Sequence, residues 1–497
     1  MQYYLGLDQG TTGTTAILFD TSFRQVSAGY CEVNCHYPAP GLVEQDGEAL
    51  LESLLVATKK ALDGIGATAS QIRCMGIDNQ GETVILWDKL TGKPLAPAIV
   101  WQDRRTAQMA ETLKEQQGTL FYERTGLMPD AYYGATKISW LLKNLPDVKM
   151  LLAQNRLLAG SLDTWFIWKL TGGKVFATDC VTASRTNLLR VDTLTWDEEL
   201  LGILDIPKNV LPEVRENAAG YGETVPESFL GARVPITGSI TDQQAALLGQ
   251  TCIRAGELKT TYGTGCFMLM HTGETLKRND KGILSTLALS HKGKTSYALD
   301  GGIYIAGAAV KWLQKGLSLV ESPKEADELA LSVKNNGGMY FVPAFTGLAA
   351  PHWDSYARGT MVGITAGCHK GHFARATLEA TAYQVADLFE LLKEISGTPI
   401  YSMRADGGGT NSSFQMQFQA DLLGIPVEIP ALSETTALGA AYLGALGAGE
   451  IGSLEEIKGF WQRDKVYEPK MSTDERESLL SGWHRAVACA KEWAKYE

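Results

Sequence analysis

Two strand–turn–strand segments with the same turn chemistry constrain the fold of this chain of 497 residues more than any other feature. In Tyr3–Phe19 and in Thr260–Met270, an apolar stretch enters a turn of glycines and threonines, and a second apolar stretch leaves it. Glycine lets backbone N–H groups approach an anion closely, and threonine adds hydroxyl donors. Asp8 stands at the mouth of the first turn, where it would repel a bare phosphate unless a divalent cation lay between them. The two segments therefore predict a nucleotide held between two related halves, with a metal ion.

Charge and composition exclude several classes of partner. The net charge is −11 and the sequence contains no block of Lys or Arg, which argues against nucleic acid or an anionic membrane as the main partner. No apolar run approaches the ~20 residues of a bilayer-spanning helix, and the sequence starts directly with a strand. The eight cysteines are scattered without a Cys-x-x-Cys pair, as free thiols in a reducing compartment are. We therefore expect no membrane insertion, no signal peptide and a cytoplasmic location.

Predicted strands and helices alternate along the whole chain, which indicates the α/β class. Helices are predicted over Glu48–Leu62, Thr106–Glu115, Ala374–Ile395 and Ser413–Leu423. The best boundary lies near residue 250, just before the second glycine–threonine segment. The sequence thus predicts an N-terminal domain over 1–250 and a C-terminal domain over 251–497, with a hinge between two lobes.

Two further segments suit phosphoryl transfer. A run of three glycines at 407–409 follows a predicted strand and precedes a helix, so backbone and a helix N-terminus can approach a base or phosphate. Asp242 stands where a strand gives way to the helix 243–249. A carboxylate there can be a plain helix cap, or it can accept the proton of an attacking hydroxyl. In the second interpretation Asp242 and Asp8 together hold a hydrated Mg²⁺.

A candidate acceptor pocket comes from three segments, 79–83, 100–105 and 130–133, which contain carboxylate, indole and phenol groups. Such a combination suits a small polyhydroxylated ligand, with acids on its hydroxyls and aromatic rings on its C–H face. Each residue also has a structural interpretation: Trp101 can belong to a core, and Arg104 and Arg105 can begin a solvated helix.

Taken together, these segments resemble the FGGY carbohydrate kinases and, within that family, most closely the glycerol kinases. The resemblance spans nearly the whole chain. The strings that carry it are 7–12, 91–94, 98–102, 163–165, 242–249, 261–270, 342–348 and 359–379.

The resemblance implies two ribonuclease-H-like lobes of the actin and hexokinase type, with MgATP and substrate in the cleft between them. It implies that Asp242 is the catalytic base, that Asp8 and Asp242 hold Mg²⁺, and that the protein is a homodimer or homotetramer. The positions similar to the family's nucleotide site are Thr11, Thr12, Gly13, Thr264, Gly307, Lys311, Gly408 and Ser412. The positions similar to its polyol site are Glu82, Trp101, Tyr132, Asp242, Gln243 and Phe267.

The chain departs from the family pattern at several positions, three of which bear on these sites. Lys311 and Ser412 stand where Gln and Asn are usual near the nucleotide. Gly81 stands where glycerol kinases have an arginine that donates to polyol hydroxyls, and its loss is expected to remove a charged donor and leave space. Either another residue supplies the donor, or glycerol binds weakly, or the acceptor is bulkier.

The resulting prediction is ATP-dependent phosphorylation of a small polyol, with glycerol to sn-glycerol 3-phosphate as the first choice. The alternative acceptor is a larger polyol or a ketose, such as erythritol or a pentulose. A non-catalytic actin-like ATPase would share the glycine–threonine turns but would need neither Asp242 nor the acceptor pocket.

Overall fold

The computed structural model describes residues 2–495, whose contacts divide the chain into two compact units. The first unit extends to Thr251 and also includes Thr286–Tyr297 and Glu434–Trp461. The second comprises Cys252–Ser285, Ala298–Ser433 and the described residues from Gln462 onward.

The strands are numbered in chain order: β1 (Tyr3–Gln9), β2 (Gly13–Phe19), β3 (Gln25–Glu32), β4 (Glu44–Gln45), β5 (Ile72–Asn79), β6 (Val84–Asp88), β7 (Ala98–Ile99), β8 (Leu157–Ser161), β9 (Ala177–Asp179), β10 (Leu189–Arg190), β11 (Thr195–Trp196), β12 (Glu213–Arg215), β13 (Ile236–Thr241), β14 (Leu258–Tyr262), β15 (Cys266–Gly273), β16 (Leu284–His291), β17 (Lys294–Ile303), β18 (Tyr340–Val342), β19 (Thr360–Val362), β20 (Met403–Asp406), β21 (Val427–Pro430) and β22 (Arg463–Tyr467).

The α-helices are α1 (Gly47–Asp63), α2 (Ala107–Thr125), α3 (Gly134–Asn144), α4 (Val148–Ala153), α5 (Leu162–Leu170), α6 (Cys180–Ser184), α7 (Glu198–Ile203), α8 (Asp242–Gly249), α9 (Gly307–Lys315), α10 (Pro323–Leu331), α11 (Lys370–Ser396), α12 (Ser413–Leu423), α13 (Thr435–Gly447), α14 (Leu454–Ile457) and α15 (Thr473–Ala490). Short 3₁₀ helices cover Ala69–Gln71, Lys208–Val210 and Gly408–Asn411.

The main sheet of the first unit has the strand order β13-β5-β1-β2-β3. β5 runs parallel to both β1 and β13, whereas β1, β2 and β3 are joined as antiparallel neighbours. The residues from Tyr3 to Leu7 are all buried, as expected of a strand that is covered on both faces. Because β1, β5 and β13 are parallel, the polar residues at their carboxyl ends meet at one edge of the sheet.

Helix α13 packs directly on this sheet through very close backbone contacts. A Cβ atom on Gly6 would lie 2.0 Å from the carbonyl oxygen of Ala437, and one on Gly76 would lie 1.8 Å from that of Ala440. Glycine on the strands and small residues on the helix permit this approach. The contact explains why Glu434–Trp461 belongs to the first unit. The N-terminal domain predicted over 1–250 did not include this segment.

The sheet of the second unit contains β15, β14, β20, β21 and β22 in that order. β14 is antiparallel to β15 and parallel to β20, which repeats the arrangement of β1 with β2 and β5. The apolar side of the long helix α11 is buried in the core of this unit, with Leu378, Val385 and Leu392 among its members. The repetition gives each unit a hairpin whose turn lies beside the end of a parallel strand.

The α/β class predicted from the sequence is confirmed. The helix predicted over Ser413–Leu423 has those bounds, and the one predicted from Thr106 to Glu115 continues to Thr125. Gly126 then adopts a left-handed conformation and ends α2. Over residues 2–495 no helix combines the length and apolarity that a membrane span requires.

Candidate active site

Three carboxylates gather at the carboxyl ends of β1, β5 and β13. Asp8 on β1 stands directly opposite Asp78 on β5 in the parallel register. Asp242 is the first residue of α8 and follows Thr241, which stands opposite Asn79. Strand pairing alone thus places Asp8, Asp78 and Asp242 at one edge of the sheet, although they are far apart in the sequence.

Burial shifts the pKa of two of these carboxyls. Neither carboxylate oxygen of Asp78 has a hydrogen-bonding partner that donates to it, and the side chain has no exposed surface. Burial, and then the charges of Asp8 and Asp242, raise the pKa of Asp78 well above its ordinary range. Burial also raises the pKa of Asp8 to about 6, against the opposing effect of its hydrogen bond with Asp78. The hydrogen bond between the two raises the pKa of Asp78 and lowers that of Asp8, so it favours the proton on Asp78.

Asp242 does not occupy the helix-cap position, which belongs to Thr241. Its carboxylate is half-buried, and its Oδ1 accepts a hydrogen bond of 2.6 Å from the backbone N–H of Gln243. A carboxylate in the first turn of a helix is favoured by the partial positive charge of the N-terminus. Helix capping therefore does not explain why position 242 is an acid. The Asp242 carboxylate lies at the same sheet edge as Asp8 and Asp78.

The first glycine–threonine turn is held closed by the backbone. The N–H of Gly10 donates to the carbonyl oxygen of Gly13 at 3.0 Å, and the Tyr30 hydroxyl donates to the carbonyl oxygen of Thr12 at 3.0 Å. Thr12 is exposed and Thr11 half-buried, whereas a Cβ at Gly13 would lie 2.3 Å from the Tyr30 hydroxyl oxygen. A side chain at position 13 would therefore have to displace the Tyr30 ring, which is 50% exposed.

Two of the predicted acceptor residues of the first unit, Trp101 and Tyr132, are in direct contact. The rings of Trp101 and Tyr132 meet edge to face with 5.7 Å between centroids. The Trp101 indole N–H donates to Thr11 Oγ1 at 2.9 Å, which joins this pocket to the phosphate turn. Arg104 is exposed and pairs with Asp130, so the structural interpretation holds for that residue.

Two residues of this pocket were missed by the sequence reasoning. The Arg185 Nε donates to Glu82 Oε1 at 2.6 Å, and both side chains are buried. The fully buried Lys137 Nζ donates to the carbonyl oxygens of Glu82, at 3.0 Å, and of Tyr132, at 2.6 Å. Burial lowers the pKa of Lys137 to about 7. A lysine among Ala135, Ile138 and Leu141 was a usable signal for Lys137, but nothing local marks Arg185.

The space expected beside Gly81 is absent. A Cβ at Gly81 would lie 2.5 Å from Thr241 Oγ1, 3.0 Å from its Cβ and 3.3 Å from Arg185 Cγ. Thr241 is fixed there because its hydroxyl donates to the carbonyl oxygen of Asn79 and accepts from the N–H of Gly81. The expectation that the glycine leaves space was therefore wrong: neighbouring side chains fill the position.

In the second unit, the second glycine–threonine turn contacts the start of α9. The N–H of Gly307 donates to the carbonyl oxygen of Gly263 at 3.1 Å, and that of Ala308 to the carbonyl oxygen of Thr264 at 3.1 Å. A Cβ on Gly307 would lie 2.6 Å from the Gly263 carbonyl oxygen, so only glycine fits there. Lys311 is exposed one turn further along α9.

The triple-glycine turn lies against the same hairpin. A Cβ on Gly409 would lie 2.7 Å from Tyr262 Cβ, whereas Gly408 is exposed with open space around it. Ser412 caps α12, because its hydroxyl accepts from the N–H of Gln415, and it also donates to the Asp327 carboxylate. Phe267, the remaining predicted acceptor residue, is 39% exposed and belongs to this second unit.

Comparison with known proteins decides the family. The N-terminal domain of the "FGGY family of carbohydrate kinases" matches residues 3–249, and its C-terminal domain matches residues 258–448. This chain belongs to the FGGY family of carbohydrate kinases. It is therefore an enzyme that phosphorylates an alcohol group, and the resemblance seen in its sequence is confirmed.

Two relatives that match this FGGY kinase over its full length are glycerol kinases. The chain is 48% identical to glycerol kinase 2 of Thermotoga maritima over 496 residues, with 100% of both chains covered. It is 47% identical to the glycerol kinase of Deinococcus radiodurans over 493 residues, covering 99% of this chain and 98% of the relative.

Solved structures support the same fold. The glycerol kinase of Plasmodium falciparum with ADP matches with a TM-score of 0.93 and 35% identity, over 99% of this chain and 98% of that one. A xylulose kinase from Lactobacillus acidophilus matches with a TM-score of 0.87 over 100% of both chains, but at 23% identity the likeness concerns the fold alone. The predicted fold of actin and hexokinase type is thereby confirmed.

Proposed function

We propose that this kinase transfers the γ-phosphoryl group of ATP to a terminal hydroxyl of glycerol, giving sn-glycerol 3-phosphate. The observation that carries the proposal is the hydrogen bond from Trp101 of the acceptor pocket to Thr11 of the phosphate turn. It brings groups suited to a polyol next to groups suited to a phosphate. The relatives named glycerol kinase, which match over their full length, support glycerol as the acceptor.

In this proposal Asp242 accepts the proton of the attacking hydroxyl. Its half-buried carboxylate stands at the end of β13, at the sheet edge where Asp8 also ends. Phosphoryl transfer requires little covalent chemistry from the protein, so positioning and charge stabilisation do most of the work. Glu82 accepts hydrogen bonds from the acceptor hydroxyls, Trp101 and Tyr132 contact its carbon chain, and Gln243 offers an amide at the start of α8.

Mg²⁺ fits the chemistry of this edge in part. Carboxylate oxygens are suitable ligands, and Asp8 and Asp242 would hold the ion, with Asp8 ionised above a pH of about 6. Among residues 2–495 no cluster of three or more His, Cys, Asp or Glu side chains could hold a metal. Phosphate oxygens and water would therefore complete the coordination, as is usual for Mg²⁺ bound with a nucleotide. When bound, the ion would screen the phosphate charges.

The remaining predicted residues serve ATP in this proposal. Thr11, Thr12 and Gly13 in the first unit and Thr264 in the second contact phosphates. Gly307, Lys311, Gly408 and Ser412 line the approach of the base and ribose, and the exposure of Gly307, Lys311 and Gly408 suits that role. Phe267, in the second unit, stays a predicted acceptor contact. A cytoplasmic location and a homodimer or homotetramer stay predictions.

A larger polyol or a ketose was the alternative acceptor because Gly81 was expected to leave space. Thr241 and Arg185 fill that space, so the reason for preferring a bulkier acceptor is gone. The packing around Gly81 is therefore compatible with glycerol as the acceptor.

A panel assay tests the proposal. Purified enzyme with MgATP is given glycerol, erythritol, ribitol or D-xylulose, and ADP release is measured while ³¹P NMR identifies the product. We expect kcat/KM for glycerol to exceed the others at least about tenfold, equivalent to roughly 1.4 kcal/mol, and the product to be oxidised by an enzyme specific for sn-glycerol 3-phosphate. A higher kcat/KM for any larger acceptor contradicts the proposal.

A further inference from the structure

We propose that Arg185 is a specificity-determining residue of the acceptor pocket. Its guanidinium fixes the Glu82 carboxylate and presents positively charged N–H donors to a secondary hydroxyl of the acceptor. The inference rests on the proposed function, because it assumes a polyol in the pocket formed by Glu82, Trp101 and Tyr132.

The first reason is the buried ion pair. Arg185 and Glu82 are 3% and 5% exposed, and the Nε to Oε1 distance is 2.6 Å. The cost of removing two charges from water can exceed their attraction, so stability alone is a weak reason to keep such a pair. A pair of opposite charges beside an indole and a phenol is, in contrast, well suited to a neutral polyol, whose hydroxyls both donate and accept.

The second reason is the fixed orientation of the guanidinium. Its central carbon lies 5.8 Å from the ring centroid of Tyr132 and 5.5 Å from that of Tyr133. Arginine has five N–H donors in a rigid planar fork; its Nε donates to Glu82, and its Nη1 lies 3.5 Å from Thr286 Oγ1. The Tyr132 ring, which also meets Trp101, therefore faces a guanidinium whose plane is held in place.

The third reason is the backbone that carries Arg185. Arg185 directly follows α6 as its C-terminal cap, and the N-terminal cap is Asp179, whose Oδ1 accepts from the N–H of Thr182 at 2.8 Å. The carbonyl oxygen of the next residue, Thr186, accepts from the N–H of Ala135 at 2.7 Å. A short capped helix and the start of α3 thus anchor the residue in a rigid part of the first unit.

The fourth reason is that Gly81 has no side-chain donor and no space beside it for one. The atoms nearest to a Cβ at Gly81 belong to Thr241 and to Arg185 itself. A guanidinium from 103 residues further along the chain thus occupies the neighbourhood of Gly81 and Glu82. Of the explanations considered for Gly81, the geometry points to a donor supplied by another residue.

The test compares substrates that differ by one hydroxyl. Glycerol is paired with propane-1,3-diol, which lacks the secondary hydroxyl, and acceptor KM, ATP KM and kcat are measured for the wild type, Arg185→Met and Arg185→Lys. Arg190→Met is the matched control, because Arg190 lies five residues away in a surface pair with Asp192. Thermal unfolding of each variant is recorded alongside.

We expect Arg185→Met to raise the glycerol KM by about ten- to a hundredfold, the range of a hydrogen bond to a charged group. ATP KM should change less than about threefold, and propane-1,3-diol should be affected much less than glycerol. Arg185→Lys should recover part of the preference for glycerol, and Arg190→Met should match the wild type.

An equal loss on glycerol and on propane-1,3-diol would mean that Arg185 only supports the structure, and would overturn the inference. If Arg185→Met does not fold, Arg185→Lys decides the matter: an unchanged preference for glycerol overturns the inference, and a reduced preference supports it. If the wild type phosphorylates no polyol, the proposed function is refuted. If the wild type turns glycerol over and the Arg185 variants have the same kinetic constants, only the role of Arg185 is refuted.

Discussion

The indole N–H of Trp101 donates a hydrogen bond of 2.9 Å to the hydroxyl oxygen of Thr11. The two residues are 90 positions apart in sequence and were assigned to different ligands, Trp101 to the acceptor and Thr11 to a phosphate. Thr11 Oγ1 also lies 3.5 Å from Gln80 Oε1, and Gln80 Nε2 donates to Gln45 Oε1 at 2.8 Å. The phosphate turn and the acceptor pocket therefore share one hydrogen-bond network, and we expect the two to be energetically coupled.

A double-mutant cycle measures this coupling. Trp101→Phe removes the indole donor, Thr11→Val removes the hydroxyl acceptor, and each variant should lower kcat/KM for glycerol and for ATP. Because a neutral hydrogen bond contributes about 0.5–1.5 kcal/mol, the double variant should be about two- to tenfold more active than the product of the single effects predicts. Strictly additive effects on both substrates would show that the two residues act independently.

Removing the proposed base separates chemistry from binding. Asp242→Asn keeps the size of the side chain and its contact with the Gln243 N–H, but it cannot accept the hydroxyl proton. We expect kcat to fall by about 10²–10⁴, the usual contribution of a general base, while the dissociation constant for glycerol changes only severalfold. Steady-state kinetics and calorimetric titration with glycerol measure the two quantities. Retained turnover with unchanged binding would remove Asp242 from the mechanism.

Substitution of Gly81 tests how tightly Thr241 and Arg185 pack around this position. In Gly81→Ala the new methyl group would meet Thr241 Oγ1 at 2.5 Å, so Thr241 and Arg185 must shift. Overpacking of this kind costs about 1–3 kcal/mol, and we expect a lower melting temperature together with a raised glycerol KM.

Gly202→Ala is the control for Gly81→Ala. Gly202 lies in α7, and a Cβ there meets nothing within 4 Å. This variant should be neutral or more stable by up to about 1 kcal/mol, because alanine reduces the freedom of the unfolded chain. If Gly81→Ala behaves like Gly202→Ala in both assays, the pocket is looser than its contacts indicate.

The sequence predicted those parts of the site that are written in contiguous motifs. Asp8, Glu82, Trp101 and Asp242 each stand next to a glycine, a strand end or a helix start, and local patterns reveal such positions. The α/β class and most element types followed from the same patterns. For these residues the same short motif contains the functional side chain and the residues that determine the local backbone conformation.

The parts that the sequence did not reveal depend on long-range pairing. Arg185 reaches Glu82 across 103 positions, and no local pattern marks it as a pocket residue. The register that places Asp78 beside Asp8 becomes visible only when β1 and β5 are aligned. Gly6 and Gly76 permit the close approach of α13, but nothing in the sequence near them shows that this helix packs there.

Lys137 gives a prediction about pH. Its pKa falls to about 7 in the folded protein because it is buried, compared with about 10.4 in an unfolded chain. Between about pH 7 and pH 10 the unfolded chain therefore binds a proton that the folded protein has released, so stability rises with pH over this range. Below about pH 7 both states carry the proton, so the cost of burying the amine is at its full value and no longer changes with pH, and it fades as the pH rises toward 10.

Lys137→Met keeps the aliphatic stem and removes the titrating amine, so this part of the pH dependence should disappear. Relative to Lys137→Met, the wild type should gain melting temperature steadily from pH 6.5 to pH 9.5. Lys143→Met, on the same helix but in an exposed pair with Asp205, should follow the wild type in parallel. The glycerol KM of Lys137→Met should also rise, because Lys137 holds the carbonyl oxygens of Glu82 and Tyr132. Parallel stability curves for all three proteins would mean that Lys137 keeps an ordinary pKa and that its amine remains charged in the fold.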